Sequence, residues 1–272
     1  MSSWNNGRAR VREKRSDVSK KDAVICAIAL HEERYIDEWI QYHLALGFSH
    51  IYLYDNSNDH ILKNKNSDKI TIIHFPGKTK QMEAYQIFII QYKKKHQWVA
   101  MIDCDEFIVL KKHNTIISFL NEYHDCSAIA LNWLMFGTSH EKTYSNQPVT
   151  SRFRYCSHDI NHHVKCIVQL TYILSYPRPH HPDLIKGHIY DTNRNVVNGS
   201  LNLLGDSTIA CIHHYYTKSE QEFREKIERG RADISQKRNL DELIDIHSKN
   251  NDIYNSDAWD FYSASVIPST LF

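Results

Sequence analysis

Trp98–Leu110 reads WVAMIDCDEFIVL, an apolar run broken by Asp103, Asp105 and Glu106 and then resumed. The apolar part suits a buried strand. No Lys or Arg stands immediately beside the three carboxylates, and burying ionised carboxylates without partners is costly. Either a cation reaches them from elsewhere in the fold, or the group holds a metal. On a strand, residues two apart share a face, so Asp103 and Asp105 are expected to point one way and Cys104 the other.

Outward from this stretch, strand and helix patterns alternate. AVICAIAL (Ala23–Leu30) is a β-branched-rich strand. ERYIDEWIQYHLAL (Glu33–Leu46) carries Ile36, Trp39, Ile40 and Leu44 at helical spacing, with Gly47 as its stop. HIYLYDNS (50–57) and KITIIHF (69–75) are further strands, and QMEAYQIFIIQYKKK (81–95) is a helix whose terminal lysines suit its dipole. The acidic stretch is then the fourth strand. A short helix near Ile116–Glu122 and a strand in SAIALNWLMF (127–136) follow. This alternation predicts an α/β fold with a doubly wound, mostly parallel sheet. The carboxyl edge of such a sheet is where ligands bind, and there Asp103 and Asp105 are hard oxygen donors suited to Mg²⁺ or Mn²⁺. Glu106 is expected to hydrogen-bond a loop and orient the pair.

Residues 137–207 are rich in His, Tyr, Asn and Pro with few periodic segments, which reads as long loops forming a binding surface. Regularity returns in TIACIHHYYTKSEQEFREKIERG (208–230), where Ser219 and Glu222 form a capping box and Gly230 ends the helix. We expect a basic arm over 1–21 and a single domain over 22–272. Within it, 22–136 is the regular first half, 137–240 the less regular second half, and 241–272 a C-terminal extension with helices.

Composition narrows the class. Hydrophobic residues at 42% and charged residues at 24% are ordinary for a globular chain. Lys+Arg 33 against Asp+Glu 32 gives +1, so no global field argues for nucleic acid. The six cysteines are scattered without C-x-x-C, which disfavours a zinc site or disulfide framework and fits a cytoplasmic location. No apolar run reaches membrane-spanning length, so membrane contact is expected to be peripheral at most, through the basic arm.

Four stretches in order, AIALHEERYIDEWIQYHLALGFSHIYLYDNSND (27–59), WVAMIDCDEFIVL, NWLMFGTSH (132–140) and HYYTKSEQEFREKIERGRAD (214–233), resemble successive blocks of glycosyltransferase family 92. That resemblance implies the GT-A fold and a nucleotide-sugar donor, most simply a UDP-sugar, used on a glycan or other hydroxyl acceptor, with 22–136 as the nucleotide-sugar-binding half and 137–240 as the acceptor and metal-completing half. It implies that Asp105 binds the metal directly, while Asp103 contacts ribose or the metal through water. His214 falls where a third metal ligand or diphosphate contact would come from. His31, Glu33 and Asp55 match positions around the base and ribose, and Gln81, Lys165 and Lys218 are candidate donor contacts. An inverting transferase also needs a carboxylate base near the acceptor hydroxyl; Glu141, Asp159 and Asp183 are the candidates. Two other readings stay open: a catalytically degenerate GT-A fold that binds glycan or nucleotide, and a phosphohydrolase with an aspartyl nucleophile. The latter chemistry usually wants its D-x-D on the first strand, with Thr or Val where Glu106 stands.

Overall fold

All seven residues of strand β1 (Ala23–Ala29) are buried, as a strand covered on both faces must be. In this computed structural model, residues 22–229, 241, 244–245 and 249–266 are described. The basic arm, the Gly230 helix stop and parts of the expected C-terminal extension lie outside them.

The side chains of β1 alternate between two cores. Ala23, Ile25 and Ala27 pack with Ile36, Trp39 and Ile40 of helix α1 (Ile36–Ala45) on one face. Val24, Cys26 and Ile28 pack with Ala84, Tyr85 and Phe88 of α2 (Gln81–Tyr92) on the other. Each large apolar side chain buried this way contributes about 1.5–3 kcal/mol. Gly47 closes α1 at φ +104°, a backbone conformation costly for other residues. Strands β2 (His50–Asp55), β3 (Ile70–His74) and β4 (Trp98–Met101) complete a parallel run in the order β4-β1-β2-β3. The doubly wound first half is therefore as the periodicity predicts.

After β4 come β5 (Glu106–Leu110), α3 (Ile116–Glu122), β6 (Ala128–Met135), α4 (Val149–Arg152) and β7 (Tyr155–Cys156). The region expected to be loops contains β8 (Asn161–Gln169), a strand that runs antiparallel between β4 and β6 in the middle of the sheet. Its buried half, Val164–Gln169, includes Lys165, and this polar interruption hides the strand from a periodicity reading. Short strands β9 (Ile173–Ser175), β10 (Asp183–Leu184), β11 (Ile189–Tyr190) and β12 (Val196–Val197) follow.

Strand β13 (Ala210–His214) pairs parallel with β6 and antiparallel with β5, setting His214 opposite Glu106. Helix α5 (Glu220–Arg229) begins at the expected capping box, with the Glu222 N–H 3.3 Å from Ser219 Oγ and the Ser219 N–H 3.2 Å from Glu222 Oε2. Strand β14 (Ile253–Tyr254) pairs with β7, and α6 (Asp257–Ser265) ends the described chain. All six cysteines are free and buried. Among the described residues no helix is long and apolar enough to cross a membrane.

Candidate active site

The acidic motif does not continue a strand. β4 ends at Met101 and β5 starts at Glu106, so residues 102–105 form the turn between them, and the Glu106 N–H donates to the Asp103 carbonyl at 3.1 Å. The apolar residues after the turn belong to a different ladder, paired with β13. Simple face alternation therefore does not govern Asp103 and Asp105. Cys104 still turns inward, 5% exposed, while the Asp103 side chain keeps 34% exposure and that of Asp105 keeps 10%.

Each aspartate meets a lysine from a distant element. Gln81 Nε2 at the start of α2 donates to Asp103 Oδ1 at 2.7 Å, and Lys165 Nζ in β8 donates to Oδ2 at 2.8 Å. Burial alone would lower the pKa of Lys165, but Asp103 and Glu106 raise it above the usual lysine value, so the ammonium stays charged. Glu106 is fully buried, and its Oε2 accepts the Asp103 N–H at 2.9 Å and lies 3.8 Å from Lys165 Nζ. Burial pushes its carboxyl well above the usual range against the attraction of Lys165. Glu106 thus orients the turn, the role the sequence suggests for it.

On the other side, Lys226 Nζ of α5 lies 2.6 Å from Asp105 Oδ2 and 2.7 Å from the Tyr216 carbonyl. His214 Nε2 stands 3.5 Å from Asp105 Oδ1, and the Tyr215 N–H donates to the Asp105 carbonyl at 2.9 Å. Burial would raise the Asp105 pKa, yet Lys226 and His214 hold it well below the usual carboxylate range. Burial lowers the pKa of His214 despite Asp105, which keeps the imidazole neutral, the form that ligates metals. Its ring packs against Trp133 and Tyr216, with centroids 4.4 and 5.6 Å away. His213, one residue earlier, points into the core against Phe136 and Tyr215.

These donors fit a divalent cation in a limited way. Among the described residues no group of three His, Cys, Asp or Glu side chains forms a ready cage. Asp105 Oδ1 and neutral His214 Nε2 are close enough to share one ion, with Asp103 in the same turn. One or two protein donors completed by water and substrate phosphates is the usual arrangement for Mg²⁺.

Beside Asp105 opens a cleft of about 210 Å³, lined by His31, Glu33, Arg34 and Tyr35 after β1 and by Thr217, Lys218, Glu222, Glu225 and Lys226 around the start of α5. Lys218 Nζ lies 4.3 Å from the centre of the Tyr35 ring and 3.8 Å from Glu32 Oε2. His31 and Lys218 both have left-handed backbones, at φ 55° and 56°. Strained residues of this kind persist where the surroundings over-determine them, and they cluster at functional sites. Glu222 pins α5 to its neighbours: it accepts from Arg152 at 2.6 and 3.2 Å, from Tyr35 Oη at 2.7 Å and from Ser219 Oγ.

The structure thus gathers Gln81, Asp103, Asp105, Lys165 and His214 in one cluster and sets His31, Glu33 and Lys218 in the adjoining cleft. Asp55 is fully buried and ties down its own loop, accepting from Ser57 N and Oγ at 3.0 and 2.6 Å and from Leu62 N at 2.9 Å. Glu141 is exposed, and its carbonyl accepts the Glu220 N–H at 3.1 Å where α5 begins. Asp159 is exposed beside His158 at 2.9 Å, on a second cleft of about 380 Å³. Asp183 accepts from Ser175 Oγ at 2.9 Å in the β9–β10 hairpin. Sequence reasoning missed Lys226. Its one signal is its position four residues after Glu222, on the same face of the helix.

A profile of glycosyltransferase family 92 matches residues 21–244. A family 92 protein of Ricinus communis is 25% identical over 136 residues, which are 45% of this chain and 24% of that protein. One from Oryza sativa subsp. japonica is 25% identical over 105 residues, 36% of this chain and 18% of its own length. In these alignments the chain spans a quarter or less of its relatives' length. Among solved structures, 4-diphosphocytidyl-2C-methyl-D-erythritol synthase from Anaerococcus prevotii superposes with a TM-score of 0.32 at 8% identity, over 65% of this chain and 90% of its own. A UDP-glucose pyrophosphorylase complexed with UDP-glucose gives 0.29 at 11%, over 55% and 69%. At such scores the likeness carries no functional weight.

Proposed function

The chain belongs to glycosyltransferase family 92, and from that membership we propose that it transfers a sugar from a nucleotide-sugar donor, UDP-linked, to a hydroxyl of a glycan or similar acceptor, with inversion and with help from Mn²⁺ or Mg²⁺. The observation that carries this reading is the pairing of Asp105 Oδ1 with the neutral His214 Nε2 at 3.5 Å, next to a cleft whose lining includes Arg34, Lys218 and Lys226. Glu33, Glu222 and Glu225 line the cleft too, and Arg34 is bonded to Glu225 at 2.8 Å, so a diphosphate there would be met by Lys218 and Lys226 and would compete with Glu225 for Arg34.

In the proposed reaction the acceptor oxygen attacks the anomeric carbon from the side opposite the diphosphate. The bond from that carbon to the diphosphate oxygen breaks, its electron pair leaves with the nucleoside diphosphate, and the acceptor proton passes to a carboxylate. Asp105 and His214 would hold the divalent cation, with Asp103 reaching it through water or binding the ribose. The cation supplies charge stabilisation to the departing diphosphate. Lys218 and Arg34 would bind phosphate oxygens, and His31 and Glu33 would border the nucleoside. Gln81, Lys165 and Glu106 fix the turn that carries both aspartates. Of the three candidate bases we favour Glu141, because its backbone is bonded to the start of α5, the helix that also presents Lys226.

A binding-only reading has one observation in its favour: both aspartates already face a lysine ammonium. Incubating the protein with a panel of UDP-sugars and Mn²⁺, acceptor omitted, separates the two. Slow release of UDP that stops in chelator supports the transferase. Tight binding of UDP and Mn²⁺ without turnover, in this assay and with a panel of glycan acceptors, supports the binding protein.

A further inference from the structure

We infer that Lys226, bonded to Oδ2 of Asp105 while His214 stands at Oδ1, competes with the divalent cation for the charge of that one carboxylate and leaves it when a nucleoside diphosphate enters the cleft. This rests on the metal-dependent reading above. The Lys226 and Asp105 side chains are 9% and 10% exposed, and their charged atoms lie 2.6 Å apart. A carboxylate this enclosed needs a cation on it. An ammonium and a divalent ion on the same carboxylate repel each other, so each weakens the binding of the other.

Lys226 has somewhere to go. It lines the cleft together with Arg34 and Lys218, and phosphate oxygens there are acceptors at least as good as the carboxylate it leaves. The helix need not move. Glu222, one turn earlier, is held by Arg152, Tyr35 and Ser219, so the exchange is a swing of one flexible side chain about a fixed backbone. Phosphates draw the ammonium off Oδ2 of Asp105, and the full charge of the carboxylate becomes available to the metal. Metal and nucleotide therefore bind cooperatively, and by linkage each raises the affinity of the other by the same factor.

The test is calorimetric titration of Mn²⁺ into the parent, Lys226→Met and Lys226→Gln, each with and without saturating UDP, alongside melting curves. Gln keeps a donor for the Tyr216 carbonyl and serves if the Met variant does not fold. Removing the competing charge should tighten Mn²⁺ binding in the absence of UDP by about tenfold or more. The enhancement of Mn²⁺ binding by UDP, large in the parent, should shrink by a similar factor. Unchanged Mn²⁺ affinity in both variants would overturn the exchange while leaving the metal reading intact. If UDP binds but Mn²⁺ binds to none of the three proteins, with or without UDP, both ideas fail together.

Discussion

Lys165 Nζ lies 2.8 Å from Asp103 Oδ2, though 62 residues separate the two and the lysine side chain is 1% exposed. The missing counter-charge of the acidic motif therefore comes from the centre of the sheet. Lys165→Met should remove the cation that opposes the burial of Glu106, 0% exposed, so that its carboxyl has to take up a proton to stay inside, and should cost about 1–3 kcal/mol. Denaturant titration measures this. The double variant Lys165→Met/Glu106→Gln should recover a good part of the loss, and a double variant no more stable than the single one would refute the pairing argument.

Asp105→Ala should reduce transfer by about a hundredfold or more if the residue ligates the metal. EDTA should abolish activity in the parent, and Mn²⁺ or Mg²⁺ should restore it. Full turnover in chelator would remove the metal from the scheme. Because the same change strands Lys226, melting temperature has to be followed in parallel, so that unfolding is not mistaken for lost chemistry.

His213 and His214 offer a paired comparison. His214→Ala should weaken Mn²⁺–UDP binding and turnover together. His213→Ala, which removes a ring packed on Phe136 and Tyr215, should lower stability by about 1–3 kcal/mol with little change in Mn²⁺ affinity. Parent-like Mn²⁺–UDP affinity in His214→Ala would reduce that histidine to packing.

His43 gives a pH dependence with a definite sign. Its Nδ1 is bonded to the Trp39 carbonyl at 2.8 Å and its Nε2 accepts the Ile108 N–H at 3.3 Å, so the folded state needs the neutral ring. Burial holds its pKa down to about 3, against 6.5 for an ordinary histidine. Below pH 6.5 the unfolded chain takes up a proton that the native chain refuses. Stability is therefore complete above 6.5 and falls on acidification towards 3, by about 1.4 kcal/mol per pH unit from this residue. In His43→Phe the stability at pH 7 should drop, but the slope between pH 6.5 and 4.5 should be shallower. Parallel slopes would mean that His43 titrates freely in the native state.

Much of this was legible in the sequence because it is local. The α1 stripe of Ile36, Trp39 and Ile40, the stop at Gly47, the span Ile116–Glu122 and the Ser219–Glu222 box each follow from spacing within one element. The partners of the acidic motif were not legible, because Lys165 and Lys226 reach it only through strand order and helix docking. The turn at 102–105 escaped for a related reason: Phe-Ile-Val-Leu reads the same whether it extends β4 or opens a new strand against β13. Of the nominated residues, Asp103, Asp105 and His214 are drawn together by that same pairing. Asp159 and Asp183 lie in segments whose periodicity is too weak to place from sequence.

The ladder between β5 and β13 also bears on how such a chain can change. His214 faces Glu106 in register, and the Tyr215 N–H is bonded to the carbonyl of Asp105, so the reach from imidazole to carboxylate is set by backbone pairing. Lengthening the chain at the exposed Leu203 and Leu204 should cost little, since loop closure depends only weakly on length, whereas Asn202 beside them is bonded to Asn132 and Asp191 and has to stay. That turn can then change while the spacing between His214 and Asp105 is kept. A single residue added inside β13 would do the opposite, turning His213 outward and sending His214 into the packing of Phe136 and Tyr215.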